Sequence, residues 1–155
     1  MKDNILVVYF TRTGRSEKVA LELNKHYKCM VEKINEKEKR KGISGYIKSA
    51  WQGIKKSTCT INKAKYNPQN YNITIIITPL WVGNISSPVR TYLQKYSDKI
   101  NDYGIIVTHN SSSYKAAEDE IKAMLHKEPI FQVEYKKKDI DNNSINVLDI
   151  LKFSH

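Results

Sequence analysis

Apolar positions fall into five β-branched runs separated by stripes of helical period. The runs are Ile5–Phe10, Cys29–Ile34, Ile73–Thr78, Tyr103–Thr108 and Ile130–Tyr135. The first and third are almost continuously apolar, as in central parallel strands covered on both faces. Glu32, Lys33, Gln132 and Glu134 interrupt the second and fifth, which are therefore expected nearer the sheet edges. Between the runs, Val19, Ala20, Leu23 and Tyr27 repeat at helical spacing. So do Val89, Tyr92, Leu93 and Tyr96, and then Ala117, Ile121, Met124 and Leu125. Ser86 or Ser87 is placed to cap the second stripe, with Pro88 in its first turn, and Ser111–Ser113 precede the third. A short terminal helix is expected around Ile145–Leu151.

Strands alternating with helices predict an α/β fold, a doubly wound parallel sheet with right-handed crossovers. Its 155 residues suit one domain spanning the chain. Ligands of such sheets sit beyond the carboxyl ends of the strands. That rule selects three segments: Thr11–Ser16, Pro79–Asn84 and Thr108–Ser113. Glu36–Gln69 is too long and polar for an ordinary connection, and is expected to be a basic helical insertion. Ile47, Ala50, Trp51 and Ile54 form an apolar stripe inside it, with Lys48, Lys55 and Lys56 elsewhere on the helix. The plain expectation is a helix packed on the domain through Trp51; a lid or a partner-binding face are the alternatives.

Charge sharpens the picture. The net charge is +10, and it belongs to the first half: residues 1–78 hold 16 Lys and Arg against 6 Asp and Glu, whereas residues 79–155 hold 10 of each. Such a field attracts anionic cofactors, acidic protein surfaces or nucleic acid. Lys33, Lys37, Lys39, Arg40, Lys41, Lys48, Lys55 and Lys56 would be the phosphate contacts of a nucleic-acid-binding module. That rival requires the ligand-edge loops to be accidents. No apolar run reaches membrane-spanning length and residues 1–10 lack a signal-peptide pattern, so a cytoplasmic location is expected, with no membrane partner. Cys29 and Cys59 have neither metal spacing nor enough company for a disulfide scaffold.

Thr11-Arg12-Thr13-Gly14-Arg15-Ser16 joins the first strand to the first helix. Gly14 permits a tight turn, the helix amides converge beyond it, and three hydroxyls surround the same point. Capping alone needs one hydroxyl. Neither the triphosphate-cradling lysine pattern nor three dinucleotide-type glycines are present, so one terminal phosphomonoester is the expected ligand. The two arginines are expected to point outward. In Pro79-Leu80-Trp81-Val82-Gly83-Asn84, an exposed Trp81 would stack on a planar ring, while Gly83 lets the backbone approach it. Taken alone, Trp81 also suits a core position. In the third segment, Thr108-His109-Asn110-Ser111-Ser112-Ser113, His109 is either a ligand contact or a plain loop histidine. The remaining histidines show no metal spacing and no nucleophilic triad is indicated, so no metal and no catalytic residue are assigned.

The segments I-L-V-V-Y-F-T-R-T-G-R-S and T-P-L-W-V-G-N-I-S-S-P-V-R-T-Y-L resemble, in order and context, the phosphate and ring loops of the flavodoxins and flavodoxin-like FMN proteins. The matching positions are Thr11, Thr13, Gly14 and Ser16, then Pro79, Trp81, Gly83, Asn84, Pro88 and Arg90. G-Y-I-K-S-A-W-Q-G-I is similar to a pattern of a bacterial subgroup. The resemblance implies a three-layer sandwich with a five-stranded sheet of order 2-1-3-4-5. It implies FMN with its phosphate at residues 11–16 and its ring between residues 79–84 and 108–113, Trp81 near one face and Val82–Gly83 near the reactive edge. It also implies an electron carrier between redox partners; the alternative is an NAD(P)H-dependent oxidoreductase reducing a quinone, free flavin or other small acceptor. The third segment lacks the glycines common in the family. The basic surface departs from that of acidic flavodoxins and points to a redox partner or reductase with an acidic docking face.

Overall fold

A computed structural model describes residues 4–37, 51, 56–110 and 113–152. Ile47, Ala50 and Ile54 of the insertion, with Lys48 and Lys55, lie outside these residues, as do Ser111 and Ser112.

The apolar runs form the strands β1 (Ile5–Tyr9), β2 (Met30–Lys33), β3 (Ile73–Trp81), β5 (Asp102–His109) and β6 (Phe131–Lys136). A two-residue strand, β4 (Asn84–Ile85), pairs antiparallel with the end of β3. The sheet order is β2-β1-β3-β5-β6, parallel throughout apart from β4. The five parallel strands therefore follow the expected 2-1-3-4-5 order, and the two interrupted runs occupy the edges. Val7 shows the central register, opposite Val31 on one side and Ile75 on the other.

Because successive strand residues face opposite ways, β1 supplies two cores. Leu6, Val8 and Phe10 join Ile76, Tyr92, Leu93 and Ile121 on the face covered by helices α2 (Ser87–Tyr96) and α3 (Lys115–Leu125). Ile5, Val7 and Tyr9 join Val19, Ala20, Leu23 and Ile140 on the other, beneath α1 (Arg15–Tyr27) and the short α4 (Lys137–Asp141). The result is a doubly wound three-layer sandwich.

Local chemistry shifts several boundaries. Ser86 is the N-cap of α2 with Pro88 in the first turn, but its side chain makes no capping bond; its backbone N–H instead donates to Thr78 Oγ1 at 3.2 Å. Tyr114 occupies the cap position of α3, so Ser113 does not cap that helix. No helix forms at 145–151; turns run through 147–152, and the helix is α4, nearer the last strand. Side-chain anchors account for this: Tyr27 and Tyr135 donate their hydroxyls to the carbonyls of Val147 and Asn146, at 2.7 and 2.5 Å, drawing this segment across α1. Burial pushes the Tyr135 phenol up to about 12.

Trp51, expected to pack the insertion on the domain, is 56% exposed. The end of the insertion is held by the buried Ile61 side chain and by polar contacts. Cys59 N–H donates to Thr91 Oγ1 at 3.1 Å, Ala64 N–H to Tyr96 Oη at 3.0 Å, and the buried Glu32 carboxylate accepts from the Lys65 and Tyr66 amides. Among the described residues no helix is long and apolar enough to cross a membrane.

Candidate functional site

The carboxyl ends of β1, β3 and β5, with the start of α4, enclose a cavity of about 300 Å³. Thr11, Arg12, Thr13, Arg15 and Ser16 form its first wall. Gly14 is the N-cap of α1 with φ 87°, a left-handed conformation that costs glycine little, and no atom lies within 4 Å of where a Cβ would stand. The first-turn amides of α1 have no intrahelical acceptor, and the helix dipole concentrates positive potential there.

The hydroxyls around the loop are oriented by internal bonds. Thr11 Oγ1 accepts from Gly14 N–H at 2.9 Å, and Thr13 Oγ1 accepts from the Arg15 guanidinium at 3.2 Å. Each hydroxyl therefore keeps its own hydrogen for an anion. Ser16, buried, shares a hydrogen bond of 3.0 Å with Thr108 on β5, which leaves that pair one hydrogen. The arginines do not both turn away as expected, since both line the cavity. Arg15 is drawn by Asp141, to which it donates from Nε and Nη2 at 3.0 and 3.1 Å. That guanidinium holds the Asp141 carboxyl below its ordinary range.

The second wall is Pro79, Leu80, Trp81 and Val82. These residues are a strand end and hairpin turn rather than an open loop. Trp81 pairs with Asn84, and the two residues between them, Val82 and Gly83, have φ of 53° and 77°. Positive φ at both turn positions is the signature of a type I′ turn, which matches the twist of the flanking strands. A β-branched residue is unusual in that conformation. Val82 nevertheless takes it as a residue 56% exposed, while Asn84 Nδ2 donates to the Val82 carbonyl at 3.1 Å.

Trp81 corrects the expectation of an exposed stacking platform. It is 8% exposed and belongs to the core, meeting Phe10 edge to face with ring centroids 5.8 Å apart. The strand alternation carries Trp81 inward and leaves Val82 at the rim. Gly83 and Asn84 do not line the cavity; a Cβ on Gly83 would stand 3.3 Å from the Ser113 carbonyl, so that turn packs on the third segment.

Thr108, His109 and Asn110 make the third wall, and Ser113 is outside it. His109 Nε2 lies 2.7 Å from Glu134 Oε2 on β6, and its side chain is 4% exposed. Lys137, at the start of α4, completes the lining. Lys137, Glu134 and Asp141 were not among the residues expected from sequence. For Lys137 the signal was present: Lys137-Lys138 follows the last strand directly, and its carboxyl end obeys the same placement rule as the other three.

Arg90 lies elsewhere. It is buried, pairs with Glu120 on α3, and donates to the carbonyls of Ser57 and Ile85 at 2.7 and 3.2 Å. It ties α2 to α3 and to the hairpin without reaching the cavity. No group of three or more metal-ligating side chains occurs among the described residues.

No protein-family model and no curated protein matches the sequence. Solved structures do match it in shape. A flavoprotein from Lactobacillus acidophilus in complex with FMN superposes with a TM-score of 0.75 at 19% identity, covering 92% of this chain and 99% of that one. The apo form of the L. acidophilus flavoprotein gives 0.67 at 17% identity, covering 91% and 97%. A variant flavodoxin from Fusobacterium nucleatum bound to FMN gives 0.52 at 16% identity, covering 86% and 68%. The architecture is thus the flavodoxin-like fold.

Proposed function

We propose that this chain is a flavodoxin-like redox protein that binds one FMN without a covalent bond and carries electrons between protein partners in the cytoplasm. The observation that carries the reading is the cavity itself, which has an anion-binding helix start at one end and a hairpin wall beside a β-strand wall at the other. The residues fit the group. The first-turn amides of α1 and the hydroxyls of Thr11 and Thr13 are placed to hold a phosphomonoester, and Arg12, Arg15 and Lys137 add positive charge to the same cavity. Pro79, Leu80 and Val82 offer apolar contact to a planar ring, with Trp81 supporting them from the core. Residues 108–110 would meet its polar edge. FMN, when bound, supplies one-electron or hydride chemistry. The chain's part is to bind it, orient it and limit its access to water.

Calorimetry comparing FMN with riboflavin tests the binding reading. FMN is expected to bind at one per chain and at least tenfold more tightly, about 1.4 kcal/mol, because only FMN carries the charged group. Equal affinities would remove the phosphate assignment.

The electron-carrier role is tested separately. The net charge of +10 supports an acidic partner, steered by a field that salt screens. In anaerobic stopped flow, the FMN-loaded protein should bleach slowly with NADH or NADPH alone and rapidly once a competent reductase is added. Rapid, saturable bleaching by the nucleotide alone would assign the oxidoreductase role instead.

A further inference from the structure

Apart from the cavity at the strand ends, a second hollow of about 220 Å³ lies between β2, residues 61–66 and α2. A single water needs only about 10–15 Å³. Two of the lining groups are polar and deeply buried: Glu32 from β2, 8% exposed, and Tyr92 from α2, 2% exposed. Glu32 accepts from the Lys65 amide through Oε1 at 2.5 Å and from the Tyr66 amide through Oε2 at 3.1 Å. Each carboxylate oxygen therefore keeps a lone pair for a further hydrogen. The Tyr92 hydroxyl has no hydrogen-bond partner among the described residues. Burial and the field of Glu32 hold its phenol well above the ordinary range, so it keeps its hydrogen as a donor.

A buried donor without an acceptor is costly, and the carboxylate nearby repels a second anion. A neutral hydroxyl answers both, since it accepts from Tyr92 and donates to Glu32. The outer part of the same lining carries the opposite charge. Lys63 and Lys65 line the hollow and are exposed. Lys65 Nζ lies 5.1 Å from the centroid of the Tyr66 ring, an aromatic contact that leaves its charge in place. Lys33 contributes less, because its Nζ stands 3.8 Å from the Glu17 carboxylate.

We propose that this hollow is a second ligand site, for a sugar phosphate. The sugar hydroxyls meet Tyr92 and Glu32 inside, and the phosphate meets Lys63 and Lys65 at the rim. The site shares no lining residue with the cavity at the strand ends, so it stands whether or not FMN binds there.

The test follows the backbone amide resonances of the full chain as ribose 5-phosphate is added to about 10 mM, tenfold above a Kd of about 1 mM. The Lys65 and Tyr66 amides, which donate to Glu32, should shift and saturate. Ribose alone and inorganic phosphate alone should bind about tenfold more weakly or less. Shifts confined to residues 14–16 would place the sugar phosphate at the start of α1 and overturn the inference. So would the lack of any saturable shift, or equal binding of inorganic phosphate.

Tyr92→Phe should weaken ribose 5-phosphate binding about tenfold, and Lys63→Gln combined with Lys65→Gln by at least about as much. Because Y92F removes a donor that has no acceptor, its melting temperature without ligand should equal or exceed that of the wild type. A lower melting temperature would show the hydroxyl already bonded in the protein alone, which overturns the inference. Unchanged affinity in Y92F overturns it as well.

Discussion

Arg15 and Asp141 are 126 positions apart in the chain, yet two parallel hydrogen bonds of 3.0 and 3.1 Å join them. Arg15 opens the helix that starts at the candidate phosphate loop, and Asp141 ends the helix that follows the last strand. The bidentate geometry fixes the guanidinium plane and with it the donor that reaches Thr13 Oγ1.

The Asp141 carboxyl is held below its unfolded value, so the pair's contribution is present above the ordinary aspartate range and is lost as pH falls through the lower folded value. Asp141→Asn removes that dependence. Thermal melts of wild type and D141N should differ near neutral pH and converge in acid. A difference that stays constant down to about pH 2 would show that the charge on Asp141 is not its source.

Val82 holds a positive φ that its branched side chain resists, in a turn type that favours Asn-Gly. Val82→Asn should therefore stabilise the fold by about 1 kcal/mol in denaturant titrations. Trp81→Ala, one residue earlier, should cost about 3–5 kcal/mol, because it opens a cavity beside Phe10 in the core. Equal and small effects at the two positions would put Trp81 at the surface.

Gly104 on β5 lies opposite Phe131 on β6, and a Cβ there would fall 2.1 Å from the ring. The ring covers the glycine, so Gly104→Ala should destabilise by about 1–3 kcal/mol. Gly104→Ala combined with Phe131→Leu should recover part of that loss. Full stability in G104A alone would mean that the ring has free room to move.

The strands and the edge positions of β2 and β6 were legible because burial on two faces leaves a continuous apolar pattern and burial on one leaves an interrupted one; their full order came from the resemblance. The first cavity wall was legible because Gly14 and its hydroxyl neighbours are contiguous. Trp81 was not, since its side depends on how far β3 continues past Thr78, and only the pairing of Trp81 with Asn84 settles that. Glu134 and Asp141 were missed for another reason: their contacts with His109 and Arg15 arise only in the folded chain. The terminal helix expected at 145–151 gave way to turns held by two tyrosine hydroxyls, a tertiary effect that outweighs local periodicity.

The position of β1 in the sheet sets an order of assembly during synthesis. β1 is made before its partner β3, whose first residue opposite Ile5 is Ile73. Until then only β2 is available to it, and the last wall of the cavity comes from β5 and α4, ending at Asp141. A chain emerging from the ribosome at about 5–20 residues per second has therefore made β1 well before Lys137, the last residue of the cavity wall. The complete cavity wall is thus a late product of synthesis, present only once residues 11–16 and Lys137 both exist.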